Sequence, residues 1–187
     1  MNPLEWIAAS LGVINVVLVV RRKVWNYPFG IAMVVLYCFV FLDVKLYSDA
    51  LLQVFFLVVQ LYGWWNWVEA TRAEGEVRVG VLGNGERLVW GAGIVVASLL
   101  WGLGMDRLTD AAAPYVDAFV AGASVAAQTL LARRRVEAWV IWIVVDVVAI
   151  GLFASRGLML TAALYVVFLG LAISGLIAWW RAPRASA

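Results

Sequence analysis

Seven apolar runs, each close to the roughly 20 residues a helix needs to cross the hydrocarbon of a bilayer, take up most of this chain. They fall at about residues 4–20, 26–42, 49–68, 88–105, 114–132, 137–155 and 158–180. Lipid offers backbone groups no partners, so a spanning segment must satisfy its own N–H and C=O groups, and runs of this length dictate helices. Composition agrees: 65% of the residues are hydrophobic and 14% are charged, against about 25% charged in soluble domains. The reading is therefore an all-α polytopic membrane protein with seven transmembrane helices and no room for a separate soluble domain. Connections after the first, second, fifth and sixth runs are short, which predicts helical hairpins. The first run lacks a basic leader and ends in Arg21-Arg22-Lys23, so it is expected to be a retained helix and not a signal peptide.

The basic residues orient the bundle. Arg21, Arg22, Lys23, Arg72, Arg78, Arg87, Arg133, Arg134, Arg135, Arg181 and Arg184 fall on one side, and Lys45, Arg107 and Arg156 on the other. Eleven against three places the N-terminus outside and the C-terminus in the cytoplasm.

An internal repeat limits the fold further. Shifted by 112 positions, residues 5–67 lie over 117–179 without a gap. Arg21-Arg22-Lys23-Val24 then meets Arg133-Arg134-Arg135-Val136, Tyr27 meets Trp139, Leu46 meets Leu158, and Gly63 and Trp67 meet Gly175 and Trp179. Each copy holds three helices, an odd number, so direct succession would invert the second copy. The extra run at 88–105 restores its direction. The expected architecture is 3+1+3 with parallel repeats: residues 4–68 the first, 69–87 a cytoplasmic connector, 88–106 a linking helix and 114–180 the second. Its glycines make the connector read as a flexible joint. In such proteins the substrate site lies near mid-membrane at the repeat interface.

Polar residues at membrane depth mark candidate binding groups. Asp146 sits in the middle of an apolar run, where a charge costs about 2.5–3.5 kcal/mol on insertion scales and signals a functional site by default. Trp139, Trp142 and Asp146, at i, i+3 and i+7, share one helical face. Indole faces suit flat or cationic ligands, and a carboxylate suits a cation or hydroxyl groups; a buried Asp bonded to a neighbouring helix, with packing tryptophans, is the plainer reading. In the third run Asp49, Gln53, Phe56, Gln60, Trp64 and Trp67 form a second stripe. Its amides need partners in hydrocarbon, and interhelical bonding is as good a reading as ligand binding. Trp64, Trp65 and Trp67 read as an interfacial aromatic belt. Gln128 and Tyr165 are further polar groups at useful depth, while Asn15 and Ser124 read as small packing contacts. Asn26-Tyr27-Pro28 opens the second run, where proline is tolerated. Gly91, Gly93, Gly102 and Gly104 on the linking run read as close helix packing.

Other classes are disfavoured. There is no histidine, no P-loop and no nucleophile paired with a base, which argues against an intramembrane enzyme and against ATP coupling, and no cofactor or metal is implied. Cys38 is the single cysteine, and the basic residues form no stripe suited to nucleic acid. A scaffold or sensor needs neither a repeat nor a polar face at mid-membrane.

Residues 21–30 (RRKVWNYPFG), 46–67 (LYSDALLQVFFLVVQLYGWWNW) and 117–179 resemble the Pnu family of bacterial vitamin transporters, whose best-known member carries nicotinamide riboside. The resemblance covers nearly the whole chain, and the tract with Glu137, Trp139, Trp142 and Asp146 is its most specific part. It implies a 3+1+3 fold like that of the SWEET sugar transporters, a homotrimer in the bacterial inner membrane, and facilitated diffusion, with cytoplasmic phosphorylation trapping the vitamin. The expected partner is a small vitamin: the nicotinamide cation between indoles near Asp146, and ribose hydroxyls on Gln and Asn side chains, among them Asn26, Gln53 and Gln60. Family members commonly read Glu-Asn-Trp where this chain has Glu137-Ala138-Trp139, and that asparagine belongs to the family's substrate site. Relatives carrying riboflavin or thiamine share most of the same skeleton.

Overall fold

The computed structural model describes residues 3–43, 47–108 and 113–184. Lys45 and Leu46 lie outside them, as does the side chain of Asp49. The described residues form helices α1 (Pro3–Val20), α2 (Asn26–Asp43), α3 (Tyr47–Glu74), α4 (Asn84–Leu108), α5 (Pro114–Ala132), α6 (Glu137–Ser155) and α7 (Met159–Trp180). Six are long and apolar enough to cross a membrane, and α1 carries a shorter apolar stretch, Trp6–Val20. Large apolar side chains cover the exteriors of these helices, as on α4 with Leu88, Val89, Leu99, Leu100 and Trp101. That is the surface a helix turns to lipid.

The repeat is written into the backbone of the hairpins. At the end of α1, Lys23 N–H donates to Leu18 O at 2.9 Å and Arg22 N–H to Val19 O at 2.8 Å, with Arg22 at φ 55°. This is a Schellman ending, whose left-handed position usually takes glycine. At the end of α5, 112 residues on, Arg135 N–H donates to Leu130 O at 2.9 Å and Arg134 holds φ 61°. The entries to the next helices match as well. Asn26 N–H bonds Lys23 O and Tyr27 N–H bonds Val24 O, while Ala138 and Trp139 repeat both bonds to Arg135 and Val136.

Two compact units divide the chain. In the first, comprising residues through Val79 with 132–134 and the segment from Ile177, α1 packs on α2 and α2 on α3. Trp67 is fully buried there, edge-on to Tyr27 at 5.4 Å and tilted against Trp179 at 5.7 Å. Trp179 Nε1 donates to Val19 O at 3.1 Å. Trp67 therefore departs from the aromatic-belt expectation: it is a core side chain, whereas Trp64 and Trp65 face outward. Gly63 makes room for Tyr27, since a Cβ there would lie 2.6 Å from the phenol oxygen.

In the second unit α4 meets α5 where Gly102 accommodates Tyr115 and Gly122 lies against Ser98. Of the four glycines expected to pack on the linking helix, Gly91, Gly93 and Gly104 have open space around the Cβ position, and only Gly102 makes the close approach. In the first turn of α5, Asp117 Oδ2 accepts from Arg156 Nη2 at 2.8 Å.

Backbone and side-chain contacts anchor the stretch between α3 and α4 within each unit. α3 continues past residue 68 to Glu74, and α4 begins at Asn84. Within the first unit Arg22 and Arg134 hold residues 74–78, and Val79 N–H bonds Pro183 O at 3.2 Å. Within the second, Val136 N–H bonds Gly80 O at 3.0 Å and Arg135 Nη1 reaches Val81 O at 3.3 Å. Val77, Val79 and Leu82 are buried. The glycines signal turns, but the apolar residues between them supply a packed face.

Candidate substrate site

Polar groups at membrane depth form one set in each unit. In the second, Asp146 is 3% exposed at the middle of α6. Its counterpart 112 residues earlier is Val34, equally buried, so the carboxylate takes a packing position that the first repeat fills with an isopropyl group. Among the described residues no hydrogen bond or ion pair engages it. An uncompensated buried carboxylate is costly, which makes a ligand cation or hydroxyl a natural counterpart.

Trp139 shares that helix face and is 2% exposed. Its indole lies flat on Gly175 of α7: a Cβ there would fall 2.6 Å from Cδ2 and Cε2 and 2.7 Å from Cε3. Tyr27 and Gly63 are the same pair in the first repeat. Trp142, one turn further along α6, is half-buried and presents part of its ring. Tyr165 stacks on Phe153 at 5.3 Å and meets Phe168 edge-on at 6.0 Å, so its ring is held by aromatic neighbours. Gln128 is half-buried on α5.

Glu137, not singled out among the binding residues from sequence, anchors this face. Its Oε1 accepts from Leu82 N–H at 3.0 Å and from Arg87 Nε and Nη2 at 3.1 and 2.9 Å. It sits in the first turn of α6, where a carboxylate complements the helix dipole. An acidic first-turn residue beside a basic triplet was the available signal.

The first unit holds an amide cluster. Asn15 Nδ2 donates to Asn26 O at 2.7 Å, and Asn26 Nδ2 donates to Lys23 O at 2.7 Å. The amides of Gln60 and Asn15 crowd over Gly30, where a Cβ would lie 2.7 Å from Asn15 Nδ2 and collide with Gln60 Nε2. Gln60 is 3% exposed, and its Oε1 has no hydrogen-bond partner among the described residues. A dry, unsatisfied carbonyl costs about 1–3 kcal/mol, which a donor from water or a ligand would offset.

Asn15 thus belongs with Asn26 and Gln60 and is more than a small packing contact. The signal lay in the repeat: the counterparts of Asn15, Asn26 and Gln60 are Ala127, Ala138 and Ala172, so three amide positions in one copy are buried alanines in the other. Gln53 stands apart from this cluster. It is half-buried beside a crevice of about 100 Å³ between α2 and α3, otherwise lined by apolar residues and Cys38. Asp49 lies on α3. Among the described residues no group of three His, Cys, Asp or Glu side chains is arranged to hold a metal ion.

Comparison with known proteins connects these features. Residues 2–181 match the family model described as nicotinamide mononucleotide transporter. The chain is 28% identical to the nicotinamide riboside transporter PnuC of Escherichia coli K12, covering 97% of this chain and 87% of that protein. It is 32% identical to PnuC of Neisseria mucosa, over 96% and 74% of the two chains. The riboflavin/roseoflavin transporter RibM of Streptomyces davaonensis is 29% identical over 96% of this chain and 85% of its own length. Among solved structures, a crystal structure of the vitamin B3 transporter PnuC superimposes with a TM-score of 0.78 at 30% identity, covering 96% of this chain and 83% of that one.

Proposed function

This chain belongs to the nicotinamide mononucleotide transporter family, and from that membership we propose that it carries nicotinamide riboside across the bacterial inner membrane by facilitated diffusion. The observation that carries the reading is the match to PnuC along almost the whole chain, in sequence and in fold together. Physical features of the chain support it. With no histidine and no P-loop, it has neither the usual proton relay nor an ATP-coupling motif of its own.

In this reading the pyridinium ring stacks on Trp139 and Trp142, and Asp146 answers its positive charge. Gln60, whose Oε1 has no partner among the described residues, takes a hydroxyl or carboxamide donor. Gln53, Gln128, Asn26, Asp49 and Tyr165 are further contacts to test. The seven helices are arranged 3+1+3 as in SWEET transporters, with repeats at 4–68 and 114–180, connector 69–87 and linking helix 88–106. The N-terminus is outside, the C-terminus is cytoplasmic, and the working assembly is a homotrimer. Net uptake follows from cytoplasmic phosphorylation of the vitamin, since a downhill carrier alone only equilibrates its substrate.

The second reading is riboflavin uptake, favoured by the likeness to RibM. Ala138 leaves the choice of vitamin open, because a buried methyl group stands where family members commonly carry an asparagine of the substrate site. A thermal-shift and binding panel with nicotinamide riboside, riboflavin and thiamine on purified protein decides between them. Nicotinamide riboside is expected to stabilise the protein and the other two are not. Stabilisation by riboflavin alone would transfer the assignment.

A further inference from the structure

The arginines that close α1 and α5 are paired in a way that membrane orientation does not explain. Arg22 and Arg134 are repeat counterparts, and both hold left-handed backbone at φ 55° and 61°. A side chain there carries a steric penalty that glycine, the usual occupant, avoids. Positive-inside placement needs arginine near the helix end but not at that position.

Both side chains close on one short segment. Arg22 Nη1 donates to Val77 O at 2.8 Å and lies 3.6 Å from Glu76 Oε2. Arg134 Nη1 lies 3.5 Å from Arg78 O and 3.8 Å from Glu74 Oε1. The arginine side chains are 25% and 20% exposed, so both are largely sheltered; the Arg22 bond to Val77 O is a charge-assisted hydrogen bond and the contacts to Glu74 and Glu76 are longer ion pairs. Residues 74–78, where α3 gives way to the connector, are therefore held by equivalent groups from the ends of α1 and α5. Val77 and Val79, buried on either side of Arg78, keep the segment down.

We propose that Arg22 and Arg134 form a matched clamp on the start of the connector, positioning residues that set the speed of the transport cycle without touching substrate. The inference rests on the transport reading. Alternating access in a repeat transporter moves one copy against the other. A five-residue segment gripped by equivalent points of both copies cannot follow both of them through such a movement. At least one grip opens in each cycle, and opening it contributes to the barrier.

Glycine variants test this cleanly, because Arg22→Gly and Arg134→Gly supply the residue the left-handed turn prefers while removing the clamp. Thermal unfolding and substrate affinity are expected to stay near those of the unaltered protein. The initial rate of substrate counterflow in proteoliposomes is expected to rise about threefold or more, as when a charge-assisted hydrogen bond no longer has to be broken in each cycle. Trypsin cleavage after Arg78 in the purified protein should become faster. Glu74→Gln and Glu76→Gln, which leave both turns untouched, are expected to act in the same direction and less strongly. An unchanged or lowered transport rate in folded glycine variants, or loss of binding together with stability, would overturn the clamp. If the unaltered protein transports no nicotinamide riboside, the transport reading fails by itself. Trypsin protection then still reports on the clamp, and unchanged cleavage would refute it.

Discussion

A methyl group added to Gly175 probes the seat of Trp139 directly. The added Cβ would lie 2.6–2.7 Å from three carbons of the indole, where the best carbon–carbon separation is about 3.5–4.0 Å. The ring is 2% exposed and has no solvent to retreat into, so ring or helix must shift, and overpacking of this kind costs about 1–3 kcal/mol. Against that, alanine is the better helix former by about 0.8–1.0 kcal/mol. The balance for Gly175→Ala is therefore about 0–2 kcal/mol of destabilisation. Gly170, on the same helix, has nothing within 4 Å of its Cβ position. Gly170→Ala should show the propensity gain alone, and the gap between the two variants isolates the overpacking. Thermal unfolding of both in detergent gives that gap. Repeating the pair in a Trp139→Ala background should close it, as a double-mutant cycle requires of touching residues. If Gly175→Ala is as stable as Gly170→Ala with Trp139 present, the indole does not rest on this glycine and the geometry of the site is wrong.

Other expectations follow from the same contacts. Trp142→Ala should lose about tenfold or more in ligand affinity by calorimetry, from stacking and a desolvated cation–π contact; unchanged binding in folded protein would remove Trp142 from the site. Asp146→Asn should weaken nicotinamide riboside while sparing a neutral analogue, and equal loss of both would mean the charge is not read. Glu137→Gln weakens the anchor to Leu82 N–H and Arg87, and with Arg87 half in solvent a loss of about 1 kcal/mol in unfolding free energy is expected; no change would make that anchor incidental. Reporter fusions after Arg184 should be active in the cytoplasm and fusions near Asp106 in the periplasm, and the reverse pattern would refute the orientation.

Much of this structure was legible because lipid leaves few options. Pro114–Ala132 and Glu137–Ser155 are bounded where hydropathy places them, since a polar or basic residue ends each run. α3 and α4 overrun their apolar cores, to Glu74 and from Asn84. Pairs such as Arg72 with Glu69 at 2.8 Å sustain a helix in water, where hydropathy no longer reports on it. Composition cannot tell a belt tryptophan from a core one, and only the contacts of Trp67 with Tyr27 and Trp179 put its indole in the core. Three of the four linking-helix glycines carry no close contact, because small residues permit close approach and do not require it. At the candidate site, the face of Trp139, Trp142 and Asp146 followed from helical spacing. The Asn15–Asn26 bond and the amides over Gly30 join α1, α2 and α3, and spacing along one helix is blind to that.

The central claim is downhill passage of nicotinamide riboside, and purified protein in sealed liposomes tests it most directly. Labelled nicotinamide riboside should enter saturably and level off at equal concentrations inside and out, with or without an imposed proton or sodium gradient. Accumulation above the outside concentration when a gradient is imposed, or no entry at all while riboflavin passes, would contradict the account.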